Sequence, residues 1–267
     1  TQVGREQGIR RLMSINLLKR LESSVYSFRL TLERIQAQIR QTLDTISRFD
    51  PSVTVELDDM SGFAELDADD QEADLFTVGR KVKIELADMD YVTWKRDLEE
   101  DYNTLYVLMG VVADITPEHD SKLHALLDTI SSKIMNPINS GNRKLLIFTA
   151  FSDTAEYLYE HVSAFAKEQY HLHSALVTGS IEGRTTIPKF KADLNNVLTC
   201  FSPLSKDKVS LMPDSPEIDI LIATDCISEG QNLQDCDCVV NYDIHWNPVR
   251  LVQRFGRIDR IGSCNSE

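Results

Sequence analysis

Residues 144–151 read KLLIFTAF, and the next stretch, DTAEYLYEHVSAFAKE (153–168), changes from a continuous apolar run to helical spacing. A short run that is apolar on every residue is a strand buried on both faces, and a helix directly after it starts a strand–helix unit. The helix is expected to be capped by Ser152 or Asp153. The same alternation continues with SALVTG (174–179) as a strand, TTIPKFKADLNNVLTCF (185–201) as a helix, and IDILIA (218–223) and VVNYDI (239–244) as strands. Pro248, behind Asn247 as cap, opens a last helix. Such alternation predicts an α/β fold: a parallel sheet flanked by helices on both faces. The change of texture lies near Gly141. Ligands of these sheets sit beyond the carboxyl ends of the strands. Thr149, Thr178, Gly179, Thr224, Asp225 and Asp243 all fall there.

The segment QRFGRIDRIG (253–262) carries three arginines within a chain of net charge −14. At about 100° per residue, Gln253, Arg257 and Arg260 form a stripe roughly 60° wide, with Leu251, Val252, Phe255 and Ile258 on the other side. The apolar side is expected to be core. The other side then presents two guanidinium forks, whose fixed donor geometry suits a phosphate oxyanion.

The front half is predicted to be mostly helical. INLLKRLESSVYSFRLTLERIQAQIRQTLDTI (15–46) places Leu17, Leu18, Leu21, Val25, Phe28, Leu32, Ile35 and Ile39 at three- and four-residue steps, the pattern of one long amphipathic helix. DYVTWKRDLEEDYNTLYVLMGVVADI (90–115) and SKLHALLDTISSKIM (121–135) follow, the latter capped by Asp120. Between the first two helices, residues 51–75 hold nine Asp or Glu and no Lys or Arg. This segment is expected to be a solvated loop; its carboxylates do not have the spacing of an EF-hand.

With 42% hydrophobic and 26% charged residues, the composition is that of a water-soluble protein. No apolar run reaches the length of a bilayer crossing, and TQVGREQGIRR has no apolar signal core, so an intracellular, cytoplasmic setting without a membrane partner is expected. The chain begins with Thr, which is expected of a piece of a longer polypeptide. The five cysteines are odd in number; Cys236 and Cys238 are expected to share a strand face rather than bind metal, and no metal site is predicted.

KLLIFTAF, IATDCISEGQNLQ (222–234) and WNPVRLVQRFGRIDRIG (246–262) together resemble motifs IV, V and VI of superfamily two helicases, in the version carried by Swi/Snf-type DNA translocases and their bacterial relatives. VTGS (177–180), with Arg184 and Phe190 after it, resembles the intermediate motif, and DSKL (120–123) resembles the lead into the same lobe. The resemblance covers roughly residues 120–262. It implies a RecA-like C-terminal lobe over 120–267, preceded by a helical region over 1–119, in which two lobes close over ATP with nucleic acid running across both.

Neither GxxxxGK[ST] nor an Asp-Glu magnesium motif is present; DADD (67–70) has no apolar strand before it. ATP and its Mg are therefore expected to be held mainly by an N-terminal RecA-like lobe of the same polypeptide, and this chain alone is expected not to hydrolyse nucleotide. By motif VI, the resemblance implies that Arg257 and Arg260 are arginine fingers. Gln253 positions the nucleotide or the attacking water, and Gly256 keeps the helix surface low between them.

By motif V, Glu229, Gly230 and Asn232 approach the nucleotide. Asp243, Trp246 and Asn247 link the two motifs, and packing and function both remain open for Trp246. Thr149, Thr178, Gly179, Ser180 and Thr224 are the implied contacts to nucleic-acid phosphates, with Arg143, Lys144 and Arg184 as supporting cations. Duplex DNA is the favoured track. Two features depart from the pattern: Arg184 follows VTGS early, and CFSPLSKDKVSLMPDSPE (200–217) is longer than a minimal lobe needs. The rival readings are a non-catalytic nucleic-acid or protein binding module on this scaffold, and the motor of a restriction or defence nuclease.

Overall fold

Ser24 interrupts what the sequence predicts as one long helix. The computed structural model describes residues 2–48, 89–227, 231–244, 247–259, 263 and 265; the acidic 51–75 segment lies outside the described residues. Helix α1 runs Gln2–Ser23 and α2 runs Val25–Arg48. The main-chain ladder continues on both sides, from Ser24 N–H to the Arg20 carbonyl and from Phe28 N–H to the Ser24 carbonyl. The Ser24 hydroxyl, however, accepts from Ser27 N–H at 3.0 Å. A serine that caps a following turn starts a new helix at that point, which is why the amphipathic pattern is divided in two. Helix α3, Tyr91–Ala113, is capped by Asp90, whose carboxylate accepts from Thr93 N–H at 3.1 Å and is held below the usual carboxylate range by hydrogen bonding to the Thr93 side chain and then to its N–H. Phe28 and Leu32 of α2 pack with Val112 of α3, and Ile39 and Ile46 with Leu98 and Trp94.

The chain divides into two compact units, residues 1–119 and 120–267. Within the second, α4 (Ser121–Met135) starts on Asp120, whose carboxylate accepts from Leu123 N–H at 2.9 Å. Strand β1 (Leu145–Phe148) then leads into α5 (Ser152–Tyr170), which begins after Phe151 with no side-chain cap bond; neither Ser152 nor Asp153 takes the cap position. Strand β2 (Ser174–Val177) and a two-residue β3 (Arg184–Thr185) follow. Helix α6 covers only Leu194–Phe201 of the predicted 185–201, because Pro188 disfavours helix before it and Asp193 caps the later start, accepting from Asn196 N–H at 3.0 Å. Short α7 (Lys208–Leu211), β4 (Ile220–Ala223), β5 (Val239–Asn241) and α8 (Pro248–Phe255) complete the unit.

The sheet order is β3-β2-β4-β1-β5. β2, β4, β1 and β5 are parallel, as the all-apolar runs predict, and only β3 runs antiparallel at the edge. The result is a mixed five-stranded sheet flanked by helices, with a helical N-terminal region. Each residue of β1, β2 and β4 is buried. Leu146, Phe148, Val177 and Leu221 turn to one face and join Val197, Leu198 and Phe201 of α6. Leu145, Ile147, Leu176 and Ile222 alternate to the other, and α5 packs on β2 and β4. Each fully buried Leu, Ile or Phe contributes about 1.5–3 kcal/mol, so this core holds the carboxyl strand ends fixed in relation to one another.

Candidate functional site

Helix α8 is built as expected at its start and inverted along its length. Pro248 fills the first turn, where no N–H is required, and Asn247 caps it by accepting from Val249 N–H at 3.0 Å. Beyond that, Val249, Val252 and Phe255 are exposed while Arg254 and Arg257 are buried. The expectation of an inward apolar stripe opposite outward guanidinium groups therefore fails for Val252, Phe255 and Arg257; of the apolar set, Ile258 is buried and Leu251 partly so.

The reason is Arg254, at 2% relative exposure. Its Nε and Nη2 make a bidentate pair with the two carboxylate oxygens of Asp225 at 2.7 and 2.9 Å. Its Nη1 donates to Asn241 Oδ1 at 3.0 Å and to the Asp243 carbonyl at 3.4 Å, and the guanidinium lies 5.1 Å from the centroid of the Phe148 ring. One fork thus ties α8 to the carboxyl ends of β4 and β5, over the last residue of β1. A buried arginine whose donors are so fully used orients its helix more strongly than three apolar side chains left at the surface do.

Arg257 lies just past the helix, with its carbonyl accepting from Leu233 N–H at 3.0 Å, so the turn after α8 is joined to the segment between β4 and β5. Gln253 is partly exposed beside it. Arg260, Glu229, Gly230 and Trp246 lie outside the described residues. Asn232 is partly exposed, and its amide oxygen closes a local turn by accepting from Gln234 N–H at 3.2 Å.

The phosphate-contact set separates. Thr149 and Thr224 are wholly buried, which corrects their expected outward role: the Thr149 hydroxyl donates to Asp243 at 2.5 Å, and both residues continue buried strands. Thr178, Gly179 and Ser180 do reach the surface. The Thr178 hydroxyl accepts from Ile181 N–H at 3.0 Å, and Ser180 Oγ donates to Ser152 Oγ at 2.7 Å, joining this turn to the start of α5. The loop is held by a close approach at Gly183, where a Cβ would lie 2.1 Å from the Ala192 carbonyl oxygen. Only glycine fits there.

The supporting cations also need correction. Arg143 and Lys144 precede β1, at the end of the sheet opposite Thr149; Arg143 pairs with Asp219 at 4.0 Å and Lys144 with Glu217 at 2.9 Å. Burial raises the Asp219 carboxyl despite these cations. Arg184 stays at the edge, 3.7 Å from Glu156 and over the Tyr159 ring. The long 200–217 segment is pinned by buried Asp235, which accepts from the N–H groups of Leu204 and Ser205 and from the Ser205 hydroxyl. Cys236 and Cys238 precede β5 rather than lying in it, and between them Asp237 pairs with buried Lys133 at 2.7 Å. Among the described residues no group of His, Cys, Asp and Glu could hold a metal ion, and no helix is long and apolar enough to cross a membrane.

Arg254, Asn241 and Lys122 were not singled out from the sequence. The available signal was that strand ends followed by Asp225 and Asp243 need cations nearby, and the chain offers one in each flanking helix, Arg254 buried and Lys122 partly exposed.

Known proteins are similar to this chain over part of its length. The uncharacterized ATP-dependent helicase YqhH of Bacillus subtilis is 56% identical over 46 residues, 17% of this chain and 8% of that protein. The mitochondrial ATP-dependent RNA helicase MRH4 of Kluyveromyces lactis is 28% identical over 177 residues, 58% of this chain and 30% of that protein. The chain thus spans less than a third of the length of these relatives. The crystal structure of the C-terminal part of the Fun30 ATPase domain aligns over 64% of this chain and 51% of its own at a TM-score of 0.37 and 18% identity. Residues 121–262, more than half of the chain, match the helicase conserved C-terminal domain, and the chain belongs to that family.

Proposed function

We propose that this chain is the second motor lobe, residues 120–267 behind a helical region, of an ATP-dependent translocase of Swi/Snf type that moves on duplex DNA. The observation that carries the reading is the Arg254 fork, which holds α8 against the carboxyl ends of β4 and β5, where sheets of this class meet their ligands. In the whole protein, Gln253, Arg257 and Arg260 face the phosphates of a nucleotide, with Glu229, Gly230 and Asn232 beside them. Bound Mg-ATP supplies the γ-phosphoryl group to be transferred to water.

The residues of this chain fit a helper to that site better than a cage for it. The sequence has no phosphate loop, and its contribution is a set of fixed donors. Guanidinium groups brought to the equatorial oxygens stabilise the charge that develops there, typically by a factor on the order of 10³ to 10⁵. Thr178, Gly179 and Ser180 bind a strand phosphate without reading a base, which suits a motor that must pass over any sequence. Arg257 is folded inward in this lobe, so the role assigned to it requires its fork to extend when nucleotide arrives.

In the full-length protein, Arg257→Ala is expected to cut ATP turnover at least about a hundredfold, from the arginine-finger scale, with DNA affinity within about threefold of wild type. Steady-state ATPase assays with duplex DNA, single-stranded DNA and RNA as stimulating ligands check this and the choice of track. The burial of Arg257 favours a second reading, a binding lobe without catalysis. Turnover unchanged in Arg257→Ala decides for it.

A further inference from the structure

The carboxylate of Asp243 collects donors from two directions. Its Oδ2 accepts from the Thr149 hydroxyl at 2.5 Å and from Ala150 N–H at 3.0 Å, both just after β1. Its Oδ1 accepts from Lys122 Nζ, in the first turn of α4, at 3.1 Å. The main-chain carbonyl of the same residue accepts from Arg254 in α8. One residue therefore touches α4, β1 and the arginine helix together.

Lys122 is held in place for this contact. Asp120 caps α4 with one carboxylate oxygen, and the other accepts from the Tyr157 hydroxyl of α5 at 2.8 Å, which fixes the turn that carries Lys122. The ammonium also rests 4.0 Å from the centroid of the Tyr242 ring. Tyr242 is buried and its hydroxyl has no hydrogen-bond partner among the described residues. Burial, with the Asp120 and Asp243 carboxylates nearby, raises its phenol, so the ring stays a neutral plate under the cation.

We infer that Lys122 is a positioning residue, which acts through Asp243 to set α8, and with it Arg257, in relation to the first turn of α4. That turn follows directly on residue 119, where the chain passes from one compact unit to the other. The inference rests on the reading of α8 as the helix that serves ATP hydrolysis. Side-chain exposure separates its two possible effects: Lys122 is 39% exposed, so the pair adds little to stability, whereas Asp243 is 10% exposed and its orientation follows the charges around it. The consequence is a catalytic effect larger than the stability effect.

The test uses the full-length protein. Lys122→Met keeps the aliphatic stem over Tyr242 and removes the charge; Lys122→Arg keeps the charge. For Lys122→Met, kcat for ATP is expected to fall about tenfold, less than the hundredfold loss of a misplacement near 1 Å, with KM for ATP and DNA affinity within about twofold. Its melting temperature is expected to stay within about 2 °C, and Lys122→Arg to recover at least half of kcat. A kcat for Lys122→Met within twofold of wild type overturns the inference, as does a loss of kcat that Lys122→Arg leaves unrepaired or that comes with a large fall in melting temperature. Arg257→Ala measured in parallel separates the two levels. If it abolishes turnover while Lys122→Met does not change it, the coupling alone fails; if turnover survives it, the reading of α8 fails and the inference with it.

Discussion

At Arg254 a single side chain decides the orientation of a helix. The guanidinium brings four hydrogen bonds to Asp225, Asn241 and Asp243 at 2% relative exposure, so its removal leaves a carboxylate without its counterion at the sheet edge. Arg254→Met is expected to lower the free energy of unfolding by about 3–5 kcal/mol, measured by urea denaturation at neutral pH. Arg254→Lys is expected to recover less than half of that, because an ammonium keeps the charge but cannot match both carboxylate oxygens. A change below about 1 kcal/mol in Arg254→Met contradicts the account. This residue was hidden from the sequence for a physical reason. A helical wheel weighs apolar against polar positions and has no means of showing that an arginine inside a fold outweighs Val252 and Phe255 outside it. Gly183 was hidden likewise, since its need comes from Ala192, nine positions away, and not from its neighbours.

Elements whose local signals agree were legible, and those where signals compete were not. The four apolar runs became the four parallel strands, and Ser121–Met135, behind its Asp120 cap, forms the predicted helix. The long first helix broke at a serine whose hydroxyl prefers a cap to a continuous turn, and the 185–201 helix lost its first half to Pro188 and Asp193. Of the candidate site, Gly179 and Ser180 are exposed and Thr178 partly so. Thr149 and Thr224 are not, because the residue after a buried parallel strand is still within the core. The exposed stripe of α8 gives a direct check. Val252→Thr and Phe255→Asn are expected to change the free energy of unfolding by less than about 0.5 kcal/mol each, as surface substitutions do. Thermal or urea unfolding that shows a loss above about 2 kcal/mol in either variant means the stripe is core after all.

At the scale of the whole molecule, stability depends on pH through buried groups that are not themselves candidate site residues. Burial pushes the Cys236 thiol up from 9.0 to about 12. A raised thiol pKa favours the folded state while the thiol is protonated in both states. That contribution is complete below about pH 9, shrinks as the unfolded chain ionises, and is lost by about pH 12. Cys236→Ala is therefore expected to flatten the decline of stability between pH 9 and 10.5, followed by urea midpoints across that range. An unchanged slope refutes it. In native protein at pH 8, Cys200 and Cys236 are expected to react with a thiol reagent only as fast as the chain opens.

The sheet order also sets a timetable for synthesis. Strand β1 pairs with β4 from Leu145 to Ile220 and with β5 from Leu146 to Val239, so both of its neighbours are translated long after it. At about 5–20 residues per second, the ribosome leaves LLIF without either partner for roughly 4–15 s. For that interval the most apolar edge in the chain is open to a neighbouring nascent chain, and a chaperone that binds short extended apolar segments has its natural target there.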